Sequence, residues 1–153
     1  MSKNKNKARI PALPEPQSNL LQNSEVLLLG FDKKQGDQVP NVGLRYIDTE
    51  YECFSDWNKG ELKALSSFLR KMAQTTWTDV LKSGGNGANK AGFGYTVHKD
   101  RDKLPRQKHL DQFSQDITFF ELRVTQKARI HGFRVKSVFF AIFLDKDHRV
   151  YPV

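Results

Sequence analysis

The sequence predicts an α+β protein in which an antiparallel sheet packs on a pair of helices. Two helical patterns lie in the middle of the chain, and three runs rich in Phe, Ile and Val follow one another towards its end. Because short connections join those three runs, we expect them to pair as an antiparallel three-strand meander. Helical and strand-rich stretches that follow one another in this way are typical of the α+β class.

The 153 residues are expected to form a disordered tail, residues 1–24, and a single α+β domain, residues 25–153. The tail is rich in Lys, Asn and Pro, with too few apolar residues to offset the entropy lost on ordering. Four basic residues in its first nine positions supply half of the net charge of +8. The tail is either an electrostatic arm for nucleic acid or a solubilising segment.

The domain is predicted to begin with two strands, at residues 25–34 and 42–54. Asn58 followed by Glu61 is typical of a capping box at the start of a helix. Apolar residues then recur at helical spacing up to about Gln74, so this stretch is expected to form an amphipathic helix. They are Leu62, Leu65, Leu69 and Met72.

Thr76 and Asp79 predict the start of a second, shorter helix. A glycine-rich loop, 83–92, follows it, and its glycines lack the spacing of a phosphate-binding P-loop. A short strand is expected within residues 92–100, and then a polar, basic loop that Pro105 interrupts. The three strands of the meander are predicted at 117–124, 128–135 and 137–145.

Composition excludes several classes of protein. No apolar run approaches the ~18 residues of a membrane span. The single cysteine, Cys53, excludes an internal disulfide and indicates a reducing, cytoplasmic setting. The net charge of +8 favours a polyanion such as nucleic acid, or an acidic partner protein.

Side chains alternate across a strand, so the two faces of the meander can be separated by parity. One face is purely apolar and is expected to pack on the helices; in the third strand it contains Val138, Phe140, Ile142 and Leu144. The opposite face carries Arg123, Arg129 and His131, and a bulge at Gly132 would bring Arg134 to it. Because unpaired buried charge is costly, we expect this second face to be open to solvent or to a ligand.

An open surface of arginine, histidine and aromatic side chains suits single-stranded RNA, because guanidinium groups bind phosphate and rings stack on bases. The predicted nucleic-acid-binding residues are Arg123, Lys127, Arg134, Phe139, Phe143, His98, Lys99 and His109. The alternative is that the arginines are solvated or pair with Glu121, Asp145 and Asp147.

Three motifs near the end of the chain are Leu122-Arg123, Ala128-Arg129-Ile130 and the segment from His148 to Tyr151. With them, residues 42–152 resemble the RelE/ParE superfamily of bacterial toxins. The resemblance implies a RelE-like fold, a cytoplasmic toxin and an acidic antitoxin that neutralises it. The family contains ribonucleases and gyrase-binding proteins, so the fold alone does not decide the activity. Residues 1–40 and 92–116 have no counterpart in it.

The function predicted from these observations is metal-independent RNA cleavage, with ribosome-bound mRNA as one substrate. This reaction needs a base for the ribose 2′-hydroxyl, cations for the transition state and an acid for the leaving oxygen. His131 and His148 are the predicted base and acid, because imidazole titrates near neutral pH. Arg129 is expected to hold the phosphate, and Tyr151 is a further acid–base candidate.

Three alternatives remain open at this point. A metal-dependent nuclease would use Asp145, Asp147 and His148, but their spacing matches no strong ligand motif, so neither a metal nor a cofactor is predicted. A non-catalytic basic protein would bind nucleic acid or inhibit a target by binding it. A structural interaction protein would have no effect on growth when it is expressed alone.

Overall fold

A computed structural model of the chain describes residue 34, residues 36–84 and residues 92–152. The predicted tail, residues 1–24, lies outside the described residues. So do the predicted first strand, 25–34, apart from its last residue, and most of the glycine-rich loop, 83–92. Two helices and a five-stranded mixed sheet make up the described chain, which confirms the α+β class.

The two helices begin where the sequence predicts. Helix α1 spans Lys59–Met72, and the Asn58 side chain accepts a hydrogen bond of 2.9 Å from the Glu61 N–H. The Glu61 carboxylate in turn accepts one of 2.8 Å from the Asn58 N–H, which completes the capping box. Helix α2 spans Trp77–Lys82, with Thr76 as its N-cap.

The sheet contains five strands in the order β1-β5-β4-β3-β2. They are β1 (Asn41–Gly43), β2 (Thr96–Val97), β3 (Phe119–Arg123), β4 (Arg129–Val135) and β5 (Val138–Asp145). Strand β1 runs parallel to β5, whereas the other neighbours are antiparallel. The sheet is therefore larger than the predicted three strands, and it is mixed.

The predicted strand at residues 42–54 is wrong beyond Gly43. The Asp48 carboxylate accepts hydrogen bonds from the backbone N–H groups of Glu50 and Tyr51. An aspartate that captures backbone donors two and three residues ahead turns the chain instead of extending it. The alternating pattern in this stretch thus belongs to a loop that packs on the sheet.

An extra residue in β5 changes which side chains share a face. His131 lies opposite Phe143 but Gly132 lies opposite Ala141, so Ile142 is left between them. This bulge reverses the parity of the first half of β5, and the assignment of Phe140 and Ile142 to the helix-packed face is therefore wrong. Gly132 is required at this step, because a Cβ atom there would lie 2.0 Å from the Phe140 carbonyl oxygen.

Both faces of the sheet are covered by apolar clusters. On one face, residues of both helices pack against the sheet residues Phe120, Leu122, Ile130, Phe139, Ala141 and Leu144. On the other face, loop residues pack against Phe119, Phe133, Ile142 and Phe143; those loop residues are Tyr46, Tyr51, Leu104, Leu110, Phe113 and Ile117. The expectation of a second face open to solvent is therefore wrong.

In the part of the chain that the structure describes, no helix combines the length and the apolar character that crossing a membrane requires.

Candidate functional site

The polar residues of the loop-covered face gather at one end of the sheet. Glu121 of β3 lies directly opposite His131 of β4, and Arg129 of β4 lies opposite Asp145 of β5. Side chains of directly opposed residues lie close together on one face of an antiparallel pair. The strand register therefore brings two acids, one arginine and one histidine into a single cluster.

His131 lies at the centre of this cluster and is 1% exposed. Its Nδ1 lies 2.9 Å from His98 Nε2, and its Nε2 lies 3.1 Å from Asp145 Oδ2. Both ring nitrogens are thus engaged, and the ring is held in one orientation. His131 was predicted as a base or acid, but its burial leaves it unable to reach a substrate directly.

Asp145 is fully buried and organises the turn that follows β5. Besides its contact with His131, it accepts hydrogen bonds of 2.8 Å from the backbone N–H groups of Arg149 and Val150. Burial alone would raise the pKa of Asp145, but the hydrogen bonds from His131 and from these two amides lower it below its ordinary value. The carboxylate is therefore ionised.

His98 follows β2 and stacks between the cluster and Tyr151. Its backbone N–H donates to the Phe119 carbonyl, and its ring centroid lies 4.0 Å from that of Tyr151. Burial, followed by the charges of His131 and His148, lowers the pKa of His98 to about 3, so the ring is neutral near neutral pH. His98 Nδ1 is buried and has no hydrogen-bond partner among the described residues.

Glu121 joins the remaining members of the cluster through its two oxygens. Its Oε1 lies 3.4 Å from Arg129 Nε and 3.4 Å from His148 Nε2, whereas its Oε2 lies 3.7 Å from His131 Nδ1. One buried carboxylate therefore lies against an arginine and two histidines.

Arg129 is held in place by the backbone as well as by Glu121. Its Nη1 donates to the carbonyl groups of Thr125 and Ala128, each at 3.1 Å. Burial lowers the pKa of Arg129, an effect that the charge of Glu121 opposes. With its side chain 10% exposed, Arg129 supplies a fixed positive charge rather than a mobile arm.

His148 and Tyr151 connect the cluster to the surface. The His148 side chain is 28% exposed, and its backbone φ of +57° lies in the left-handed region that favours glycine. Its Nε2 is buried against Glu121, although the contact lacks hydrogen-bond geometry, so Nδ1 is the nitrogen that remains for another partner. Tyr151 is partly exposed, and its hydroxyl accepts a hydrogen bond of 3.1 Å from the Asp100 N–H.

The predicted nucleic-acid-binding residues do not form one surface. Phe139 is fully buried in the helix-side core, and Phe143 is buried beneath the loops, so neither is available to stack on a base. The Arg134 guanidinium lies 4.3 Å from the centre of the Trp77 ring, on the helix side. The bulge therefore does not bring Arg134 to the histidine face.

The other predicted contacts lie nearer the surface. Lys127 forms an ion pair of 2.6 Å with Asp147, and His109 lies 3.7 Å from Asp48. Lys99 is exposed, and Arg123 is half-buried beside Arg129 in the strand register.

Pairing of the arginines with acids, the alternative weighed from the sequence, is confirmed for Arg129, which pairs with Glu121. The structure does not bring together Asp145, Asp147 and His148, the ligands that a metal-dependent nuclease would use. Asp145 contacts His131, and Asp147 pairs with Lys127. Within the described ranges, the three metal-ligand side chains that do converge are His98, Glu121 and His131.

Sequence reasoning missed Glu121 as a member of the site and predicted His98 only as a nucleic-acid contact. Parity already put Glu121 on the face of Arg129 and His131, which was the available signal. No such signal exists for His98, because the packing of a two-residue strand and its following loop depends on the whole fold.

No protein-family model matches this chain, and searches of the curated proteins and of the solved structures gave no significant match. The site is therefore interpreted from its own geometry.

Proposed function

We propose that the protein is an endoribonuclease that cleaves RNA by acid–base chemistry at the partly exposed edge of the cluster. The observation that carries this proposal is the contact between His148 and the buried carboxylate of Glu121. A carboxylate behind one imidazole nitrogen orients the ring and stabilises the imidazolium that forms when the other nitrogen takes a proton. His148 therefore has the surroundings of a general base, with Nδ1 towards the substrate.

In this mechanism, His148 takes the proton of a ribose 2′-hydroxyl, and the oxygen attacks the adjacent phosphorus. A bond forms between phosphorus and O2′ while the bond to O5′ breaks, and the leaving O5′ receives a proton from Tyr151. The products are a 2′,3′-cyclic phosphate and a 5′-hydroxyl end. No oxidant, reductant or metal is needed for this step.

The remaining residues take supporting roles. Arg123 and the exposed Lys99 and Lys127 are the cations proposed to bind the phosphate backbone. The Arg129 guanidinium lies 3.4 Å from Glu121 Oε1 and holds that carboxyl group in place. His131 and Asp145 are positioning residues, since they touch one another and the turn that carries His148 rather than the substrate.

The fold class and the basic charge also agree with the RelE-like toxin that the sequence resembles. We propose that the chain acts in the cytoplasm, with mRNA as its substrate, and that an acidic antitoxin neutralises it through charge complementarity. The alternative function is a non-catalytic protein that binds nucleic acid or inhibits a target by binding.

Replacing His148 by Ala tests the proposal. Cleavage of a labelled RNA, in buffer with EDTA, is expected to fall by about 10²–10⁴-fold, the usual contribution of a positioned acid or base. RNA binding and the far-UV circular dichroism spectrum are expected to be unchanged. Lys63→Ala, on the exposed face of α1, is the control variant and should cleave like the wild type.

Two results would contradict the mechanism. A His148→Ala protein that cleaves as fast as the wild type rules out His148 as the base. A wild-type protein that binds RNA but does not cleave it, and that stops growth when expressed, favours the non-catalytic alternative.

A further inference from the structure

We infer that His98, Glu121 and His131 form a binding site for a zinc ion. This site uses the Oε2 side of Glu121, away from the oxygen that contacts His148, and the inference does not depend on RNA cleavage. It begins from three ligand atoms on three different strands or strand ends, all within 4.8 Å of one another and all buried.

The spacing of the ligand atoms suits a tetrahedral ion. His98 Nε2 and His131 Nδ1 are 2.9 Å apart, and His131 Nδ1 lies 3.7 Å from Glu121 Oε2. Bonds of about 2.0–2.1 Å at tetrahedral angles place neighbouring ligand atoms roughly 3.3–3.4 Å apart. The two observed distances lie on either side of that value, and the third pair, His98 with Glu121, lies within 4.8 Å.

Two of the three ligands, His131 and Glu121, have the outer partners that metal ligands usually have. His131 directs its second nitrogen to Asp145 at 3.1 Å, the carboxylate–histidine arrangement that fixes the ring and raises the basicity of a ligating imidazole. Glu121 has Arg129 and His148 on Oε1, which leaves Oε2 for the ion. A ligating carboxylate is ordinarily supported in this way.

The inward nitrogens of the two rings are able to present lone pairs to an ion that lies between them. When His131 donates Nε2–H to Asp145, its Nδ1 carries a lone pair directed at His98. His98 must then donate Nε2–H, and its own buried Nδ1 remains without a partner among the described residues. An ion between the two rings uses both inward lone pairs and moves the proton of His98 to Nδ1, where its acceptor would have to be water, because no described residue accepts it.

The donor set selects the kind of ion. Calcium and magnesium require oxygen ligands, whereas two imidazoles and one carboxylate suit zinc and its neighbours in the first transition series. Three protein ligands leave the fourth position of a tetrahedral zinc open to water.

Calorimetry with zinc chloride tests the site in the full-length protein after treatment with EDTA. One equivalent is expected to bind, and His98→Gln and Glu121→Gln are each expected to lose more affinity than the about 10–100-fold that removal of an outer partner costs. Asp145→Asn should fall within that 10–100-fold range. His109→Gln removes a histidine outside the cluster and should bind zinc like the wild type.

Cobalt gives a second readout that does not depend on folded variants. The wild-type protein with Co²⁺ should show the strong visible absorption of a tetrahedral ion, and added zinc should abolish it. The inference fails if the absorption is that of octahedral cobalt, or if His98→Gln and Glu121→Gln bind zinc as tightly as the wild type. Zinc binding without RNA cleavage would overturn only the proposed function, and cleavage without zinc binding only this site.

Discussion

At the scale of single residues, the site depends on a buried acid more than on its histidines. Asp145 holds His131 through one oxygen and the turn of His148 through two backbone amides. The histidines were prominent in the sequence because they are few and because imidazole in general is suited to acid–base chemistry near neutral pH. The acids that orient them were not, because Asp145 ends an apolar strand beside a polar turn, where an acid is ordinarily exposed.

Replacing Asp145 by Ala is expected to destabilise the fold markedly. The change leaves the His131 Nε2–H and two backbone N–H groups without an acceptor, and each buried donor left unpaired costs about 1–3 kcal/mol. Urea denaturation measures the free energy of unfolding.

Asp147→Ala is the control for this prediction. Asp147 pairs with Lys127 at the surface, where ion pairs contribute little, so its loss should leave the unfolding midpoint close to that of the wild type. Equal midpoints for the two variants would contradict the central role of Asp145.

At the scale of elements, the bulge in β5 decides the composition of both cores. It places Phe139 and Ala141 beneath the helices and turns Phe140, Ile142 and Phe143 towards the loops. The bulge also requires Gly132 on the neighbouring strand, because no side chain fits against the Phe140 carbonyl oxygen. The eight residues of β5 thus contribute apolar side chains to the cores on both faces of the sheet.

Gly132→Ala is expected to lower the free energy of unfolding by about 1–3 kcal/mol, the usual cost of overpacking a core. The added methyl group would lie 2.0 Å from a backbone oxygen, so β4 and β5 must separate. Gly60→Ala in α1 is the comparison, since a Cβ atom there meets only the Asn58 side chain at 3.3 Å. Thermal unfolding that shows an equal loss in both variants would contradict the close contact at Gly132.

The helices could be predicted from the sequence and the faces of the sheet could not, for a physical reason. Helix starts depend on local hydrogen bonds, and Asn58 with Glu61 is visible in four consecutive residues. A bulge depends on the register between two strands and reverses every side chain on one side of it. Parity therefore placed Glu121, Arg129 and His131 correctly on one face, but misplaced Phe140 and Ile142.

The cover over the second face was also hidden from the sequence. Three of its apolar residues, Leu104, Leu110 and Phe113, lie in a polar, basic loop and follow neither a helical nor a strand period. Only the assembled fold brings them onto Phe119 and Phe133. Because this cover was not predicted, the basic face was expected to be open to solvent or to a ligand.

At the scale of the whole molecule, strand β5 contributes side chains to the apolar clusters on both faces of the sheet. Two indole N–H groups bind carbonyl oxygens at its two ends: Trp77 binds Ser137 at 3.0 Å and Trp57 binds Leu144 at 2.9 Å. The helix layer is thereby fixed along the strand that also ends in Asp145. The candidate site lies at the end of β5, and apolar clusters pack on both faces of the sheet.

The net charge of +8 predicts how salt affects the proposed reaction. Binding of single-stranded RNA releases counterions, so the logarithm of the binding constant should fall with the logarithm of salt concentration by about 0.7 for each phosphate contacted. KM is expected to rise steeply with salt while kcat stays nearly constant, because buried charges are screened little. Steady-state cleavage at several salt concentrations measures both, and a salt-independent KM would contradict binding through phosphates.

Under the proposed mechanism, the left-handed backbone at His148 sets folding and chemistry in opposition at one position. Glycine adopts that conformation without penalty and asparagine with little, whereas other side chains cost roughly 1–2 kcal/mol there. A descendant of this chain released from its activity would therefore drift towards glycine or asparagine at residue 148 before its neighbours changed. The imidazole in this turn thus has a cost in stability, and under the proposed mechanism its contact with Glu121 is the function that retains it.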